Sequence, residues 1–83
     1  MDISIEDLGV LIEVKYAREP KDQGKFVDDF NRDLGLYVKW QPLQHLIYLV
    51  YHTEKLRDPE GLKRLEGEKE LDGKRFYAHI ILV

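Results

Sequence analysis

The chain contains no cysteine, only three prolines, and no apolar run longer than the six residues 46–51. Without cysteine there is no disulfide framework, no thiolate-ligated zinc and no thiol nucleophile, a composition that fits a reducing compartment. A membrane helix needs about 20 consecutive apolar residues, and no charged-then-apolar leader opens the sequence. The expectation is a cytoplasmic protein with no membrane contact. Neither a glycine-rich phosphate loop nor a Walker or nucleophile-elbow pattern occurs, which excludes nucleoside triphosphatases and serine hydrolases of the familiar types. Excess positive charge is missing too: 13 Lys and Arg stand against 16 Asp and Glu, a net charge of −3. Tight non-specific nucleic-acid binders have the opposite balance, so any nucleic-acid contact must come from a local patch, a partner or further chain.

What is present is a globular composition, 43% hydrophobic and 35% charged, over 83 residues. That length supports one domain, spanning residues 1–83, with one compact core. The acidic excess lies in residues 1–41, which carry nine acidic and six basic side chains, whereas residues 42–83 carry seven of each.

Turn signals at Leu8-Gly9, Glu19-Pro20, Gln41-Pro42, Asp58-Pro59 and Asp72-Gly73 divide the chain. Residues 3–5 and 10–16 alternate and read as a β-hairpin. From Pro20 to about Trp40, Phe26, Val27, Phe30, Leu34, Tyr37 and Val38 recur at spacings of three and four, the stripe of an amphipathic helix. Residues 46–51 are apolar without alternation, as expected of a central strand covered on both faces. Asp58-Pro59 opens a short helix carrying Leu62 and Leu65. Gly67 and Gly73 bracket a charged loop, and residues 76–83 form a last strand. The predicted fold class is α/β: a small mixed sheet in the order β-β-α-β-α-β with helices packed on it.

The chemistry-bearing stretch is the opening hairpin. Glu13 and Lys15, two apart on a strand, share a face, while Ile12, Val14 and Tyr16 share the other. A two-residue loop at Leu8-Gly9 would set Asp7 against Val10, Ile5 against Ile12, Ile3 against Val14 and Asp2 against Lys15. Registers of this parity bring Asp2 beside Glu13 and Lys15, and predict one apolar face and one gathering Asp2, Ser4, Glu6, Glu13 and Lys15. Two carboxylates on neighbouring strands can hold Mg²⁺, with the Val14 carbonyl as a third oxygen, and an adjacent lysine can assist the water in metal-assisted phosphodiester hydrolysis. The alternative is an edge strand with a charged solvent face and ordinary cross-strand pairs. An acidic residue two before a lysine occurs three times, at Glu13, Glu19 and Asp72, but only Glu13 lies in an apolar strand with a second carboxylate one hairpin away.

The run Leu11-Ile12-Glu13-Val14-Lys15-Tyr16-Ala17-Arg18, preceded by Asp2 and followed by an amphipathic helix and the apolar strand 46–51, resembles the PD-(D/E)XK nuclease superfamily. Within it the chain looks most like the DpnII/MboI-like restriction endonucleases and predicted nucleases, from Asp2 to about Leu65. The resemblance implies a restriction endonuclease-like fold, a prokaryotic source and Mg²⁺-dependent cleavage of DNA, with Mn²⁺ as a substitute. It also implies Asp2 and Glu13 as metal ligands and Lys15 as the catalytic lysine. The family pattern places a helix, and often a strand, before the first Asp, so the expectation is an N-terminally shortened member. A non-catalytic interaction module is the rival, pairing its exposed edge strand with another chain or with a second copy in a homodimer.

Lys15, Arg18, Lys21 and Lys25 form a local basic run suited to a phosphate backbone, or else a solvated loop with Glu19 and Asp22 interleaved. Asp28, Asp29, Arg32 and Asp33 lie off the apolar stripe; they could support a metal or lysine, or form an exposed helix face with Lys25 paired to Asp29. His45, His52 and His79 match no metal or triad spacing and are expected in the core or at strand ends. Trp40, Tyr48 and Tyr51 are expected as core or core-edge aromatics, not as a base-stacking platform.

Overall fold

A computed structural model of the chain describes residues 2–83, with the Asp2 side chain outside the described part. Five strands and one long helix follow in chain order: β1 (Asp2–Ile5), β2 (Val10–Tyr16), α1 (Asp22–Tyr37), β3 (His45–Tyr51), β4 (Gly67–Leu71) and β5 (Lys74–Leu82). The sheet order is β1-β2-β3-β5-β4. Strands β2, β3 and β5 run parallel, and β1 and β4 close the two edges antiparallel. The mixed α/β class is as expected. Among the described residues no helix is long and apolar enough to cross a membrane.

Two elements differ from the sequence expectation. The charged stretch after Gly67 is strand β4, joined to β5 through Asp72-Gly73. Both turn residues have positive φ, 53° and 77°, the conformation that a two-residue hairpin turn requires and that Asp-Gly supplies. Its Glu-Lys-Glu alternation reads as loop because an edge strand with polar side chains lacks the apolar half of the period-2 signal. The short helix after Pro59 is a 3-10 segment, Pro59–Leu65, which places Leu62 in the core.

The core forms where α1 and the 3-10 segment cover one face of the sheet. Leu11 from β2, Leu46, Tyr48 and Val50 from β3, and Phe76, Ala78 and Ile80 from β5 alternate onto that face, and Phe26 and Phe30 of α1 pack against them. The Phe30 and Tyr48 rings meet edge to face, centroids 5.1 Å apart. Fully burying such side chains contributes about 1.5–3 kcal/mol each. Strand β3 is buried on this face alone. Its other face joins Val10, Ile12, Val14, Ile47 and Leu49, half-buried, to exposed Ile3, Ile5, Tyr16, Tyr51, Tyr77 and Ile81. The expectation of a strand covered on both faces is therefore corrected, because the chain's single long helix covers one side.

Gly9 fixes how β2 enters the sheet. It follows a 3-10 turn, Glu6–Leu8, at φ 65°, and its carbonyl accepts hydrogen bonds from the Gln44 and His45 amides at 2.7 and 2.9 Å. A Cβ at this position would lie 2.3 Å from the Pro42 carbonyl oxygen. Only glycine fits a left-handed residue pressed this closely against backbone.

Candidate functional site

The β1–β2 connection is four residues long, from Glu6 through Gly9, and this moves the register by two from the tight-hairpin expectation. Asp2 pairs with Glu13, Ile3 with Ile12, Ser4 with Leu11 and Ile5 with Val10. An even shift preserves the faces, so Asp2 stands directly opposite Glu13, with Lys15 two residues further along the same face of β2. The Asp2 side chain, named above as a metal ligand, is outside the described residues.

The face carrying Glu13 and Lys15 is the covered one. The uniformly apolar face of the hairpin is the open one. The reason lies in α1, whose buried surface is half polar: Asp29 and Asp33 flank Phe26 and Phe30 and point at the sheet, 8% and 6% exposed. Glu13 is 8% exposed. Its Oε2 accepts a 2.5 Å hydrogen bond from the Tyr37 hydroxyl, and Lys15 Nζ lies 3.8 Å from its Oε1. The same Nζ lies 3.3 Å from Asp29 Oδ2, whose other oxygen meets Arg32 at 3.1 Å. Asp33 accepts from the buried Tyr48 hydroxyl at 2.6 Å and lies 3.7 Å from Arg32 Nε. Burial first, and then the bond to Asp33, push the Tyr48 phenol far above its ordinary value. It is a neutral donor throughout the working range.

These contacts make one network, Tyr37–Glu13–Lys15–Asp29–Arg32–Asp33–Tyr48, which runs between α1 and the sheet and reaches solvent through the exposed Arg32 side chain. Asp29, Asp33 and Tyr37 stand four apart on one helical row. Asp29 therefore meets Lys15 and Arg32 within the fold, in place of the exposed pairing with Lys25. Such buried carboxylates need partners, because burying an ion alone costs several kcal/mol.

Beyond the Asp2–Glu13 pair, the edge of β2 opens into a cleft of about 390 Å³ lined by Val14, Lys15, Tyr16, Arg18, Asp22, Lys25, Phe26 and Asp29. The turn from β2 into α1 shapes it. Asp22 Oδ2 accepts the Arg18 and Glu19 amides at 2.8 and 3.1 Å. The Arg18 amide, with the Glu19 amide and the two nearby lysines, outweighs the little burial there and lowers the Asp22 carboxyl below its ordinary range. Of the basic run, Lys15, Arg18 and Lys25 line the cleft, while Lys21 is directed to Glu19 at 3.2 Å on the surface.

Among the described residues no three His, Asp or Glu side chains converge as a metal group. Glu13 offers carboxylate oxygens and Val14 a main-chain carbonyl, ligands of the hard oxygen class that Mg²⁺ takes. Far from this site, His45 Nδ1 and His79 Nε2 make a 3.0 Å hydrogen bond between β3 and β5. That pair was invisible in the spacing, because parallel strands join residues 34 apart. Tyr48 is a core aromatic with a bonded polar tip, as expected, whereas Tyr51 stacks on Tyr16 at the exposed end of the open face.

No curated protein and no solved structure gives a significant match. The family model of DpnII-MboI restriction endonucleases matches residues 1–75, nearly the whole chain and all of the network and cleft described above. The chain belongs to the DpnII-MboI restriction endonuclease family.

Proposed function

We propose that this domain hydrolyses DNA phosphodiester bonds with Mg²⁺, on a restriction endonuclease-like fold. The observation that carries the reading is the register that sets Asp2 opposite Glu13, with Lys15 held on the same face at the mouth of a basic cleft. Family membership supports DNA as the substrate. Asp2, Glu13 and the Val14 carbonyl would hold the ion, which supplies charge neutralisation at the phosphate and acidity to the attacking water.

The chain's own residues do the positioning. Tyr37 fixes one oxygen of Glu13, leaving the carboxylate a single orientation. Asp29 and Glu13 hold the Lys15 ammonium between them, pre-organised to donate to the attacking water or to a phosphoryl oxygen as charge develops. Arg18 and Lys25 on the cleft wall neutralise neighbouring phosphates, and Asp22 holds the turn that presents Arg18. Because the overall charge is −3, this local patch has to provide the attraction.

Paramagnetic Mn²⁺ titrated into isotope-labelled protein tests the site. The expected result is selective broadening of the amides around Asp2, Glu13, Val14 and Lys15 at sub-millimolar metal. Uniform broadening over all the surface carboxylates would remove the metal site from the account.

A second reading is favoured by the open sheet face, where Ile3, Ile5, Tyr77 and Ile81 are exposed beside half-buried Ile12, Val14, Ile47 and Leu49. It is an interaction module whose edge strand β1 and apolar face meet another chain or a second copy. Concentration-dependent mass in solution supports that reading, and a monomer at all concentrations counts against the second copy.

A further inference from the structure

His45 opens β3 and His79 lies within β5, its parallel neighbour in the sheet. Both side chains belong to the open face, because Leu46, Tyr48, Ala78 and Ile80 alternate onto the covered one. His45 Nδ1 and His79 Nε2 stand 3.0 Å apart, with ring centroids at 5.2 Å and planes at 38°. The backbone beneath them is tied down. The His45 amide donates to the Gly9 carbonyl and the Tyr77 amide to that of Gln44, each at 2.9 Å, and the Ile80 amide donates to the Glu66 carboxylate at 2.8 Å. The Tyr77 ring leans on His79 with centroids 4.7 Å apart. Across the sheet the register partners are Val10 for His45 and Ile47 for His79, and all four side chains are half-buried.

Two imidazoles bonded to each other in such apolar surroundings do not serve stability well. Replacing both partners of a hydrogen bond by apolar groups of the same shape is nearly neutral or stabilising. What the pair supplies is two nitrogen ligands side by side, and imidazole suits zinc, copper and nickel. Their separation selects among these. Zinc–imidazole bonds are about 2.0–2.1 Å long, and at that length two nitrogens on a tetrahedral ion lie about 3.4 Å apart, whereas two at a right angle lie about 2.9 Å apart. The observed 3.0 Å is the right-angled edge, the geometry that Ni²⁺ and Cu²⁺ prefer. We propose that His45 and His79 form a bidentate site for a divalent transition-metal ion of the Ni²⁺ and Cu²⁺ class, a clip between β3 and β5 with water in the remaining positions. Both rings ligate as neutral imidazoles. The ring that now donates the shared hydrogen changes tautomer on binding, its proton passing through solvent to the other ring nitrogen, and both rings tilt to aim their lone pairs at the ion. The site is independent of the cleavage reading, since its ligands lie on the opposite face of the sheet from Glu13 and Lys15 and are nitrogens, where Mg²⁺ takes oxygens.

The test is a Ni²⁺ titration of the isotope-labelled full chain at pH 7.5 in excess Mg²⁺, which occupies the oxygen sites, followed on the histidine ring signals. The expected result is saturable binding of one equivalent that broadens the His45 and His79 rings before that of His52. His52 is the internal control, an exposed imidazole whose Nδ1 lies 3.7 Å from Glu54 Oε1. His45→Gln and His79→Gln should each weaken Ni²⁺ by about 10- to 100-fold or more, since losing even an outer-shell partner costs that much. His52→Gln should leave the affinity unchanged. Because the broadening is read on the wild type, a variant that failed to fold would not decide the outcome. Absence of saturable binding at millimolar Ni²⁺, or broadening that reaches His52 as early as the pair, overturns the site and leaves a hydrogen bond alone. Tighter binding of Zn²⁺ than of Ni²⁺ overturns the choice of ion.

Discussion

Replacing Tyr48 by Phe removes one oxygen from the centre of the fold and nothing else. Tyr48 is 2% exposed, and its hydroxyl donates at 2.6 Å to Asp33, itself 6% exposed. The phenyl ring keeps its packing on Phe30, so the loss is the hydrogen bond and the stranding of a buried carboxylate oxygen. Bonds to charged groups contribute about 1.5–3 kcal/mol. We expect a loss near 2 kcal/mol at pH 7 and a melting temperature lower by about 10 °C. The pH dependence is more diagnostic. Folding raises the Tyr48 value, so the unfolded chain ionises this phenol above pH about 10 while the folded protein does not. The stability it contributes is present in full below that pH and declines above it, by about 1.4 kcal/mol per unit. Urea denaturation of both proteins between pH 8 and 11, followed by far-ultraviolet circular dichroism, isolates the effect. The cost of Tyr48→Phe should shrink by about 1.4 kcal/mol at pH 11. A cost below 0.5 kcal/mol at pH 7, or one independent of pH, refutes the idea that Tyr48 and Asp33 are a dry, bonded pair.

Other expectations follow from the same structure. Gly9→Ala forces a methyl onto the Pro42 carbonyl at positive φ and should cost about 2 kcal/mol or more, read by thermal melting. Asp29→Asn removes one of the two carboxylates holding Lys15 and should lower DNA cleavage about 10- to 100-fold with a native circular dichroism spectrum; unchanged cleavage would take Asp29 out of the site. Arg18→Ala and Lys25→Ala should each reduce the slope of log affinity for DNA against log salt by about one, while Lys21→Ala should leave it unchanged.

The strands β2 and β3, the long helix and the pairing of Asp2 with the Glu13 segment were legible because alternation and the three-four spacing are strong local signals. Which side of the sheet α1 covers was not. Along β2, Leu11 lies on one face and Val10, Ile12 and Val14 on the other, so counting apolar residues favours the wrong face. The decision is made 14 to 24 residues away, where α1 brings Asp29 and Tyr37 to meet Lys15 and Glu13, and Asp33 to meet Tyr48 of β3. Carboxylates at a four-residue spacing beside Phe26 and Phe30 were the available sign of a polar helix–sheet seam. The register slipped by two because a 3-10 turn, invisible in residue types alone, lengthens the connection before Gly9. The Tyr16–Tyr51 stack was hidden because it depends on the parallel register of β2 on β3.

The most direct test is cleavage of plasmid DNA by the purified protein in Mg²⁺, in Mn²⁺ and in EDTA, with Lys15→Ala and Glu13→Gln alongside. The account predicts strand cleavage that requires the metal, a loss of about 100-fold or more in Lys15→Ala, and a comparable loss in Glu13→Gln, with both variants folded by circular dichroism. Cleavage that persists in EDTA, or that Lys15→Ala performs as well as the wild type, would contradict it.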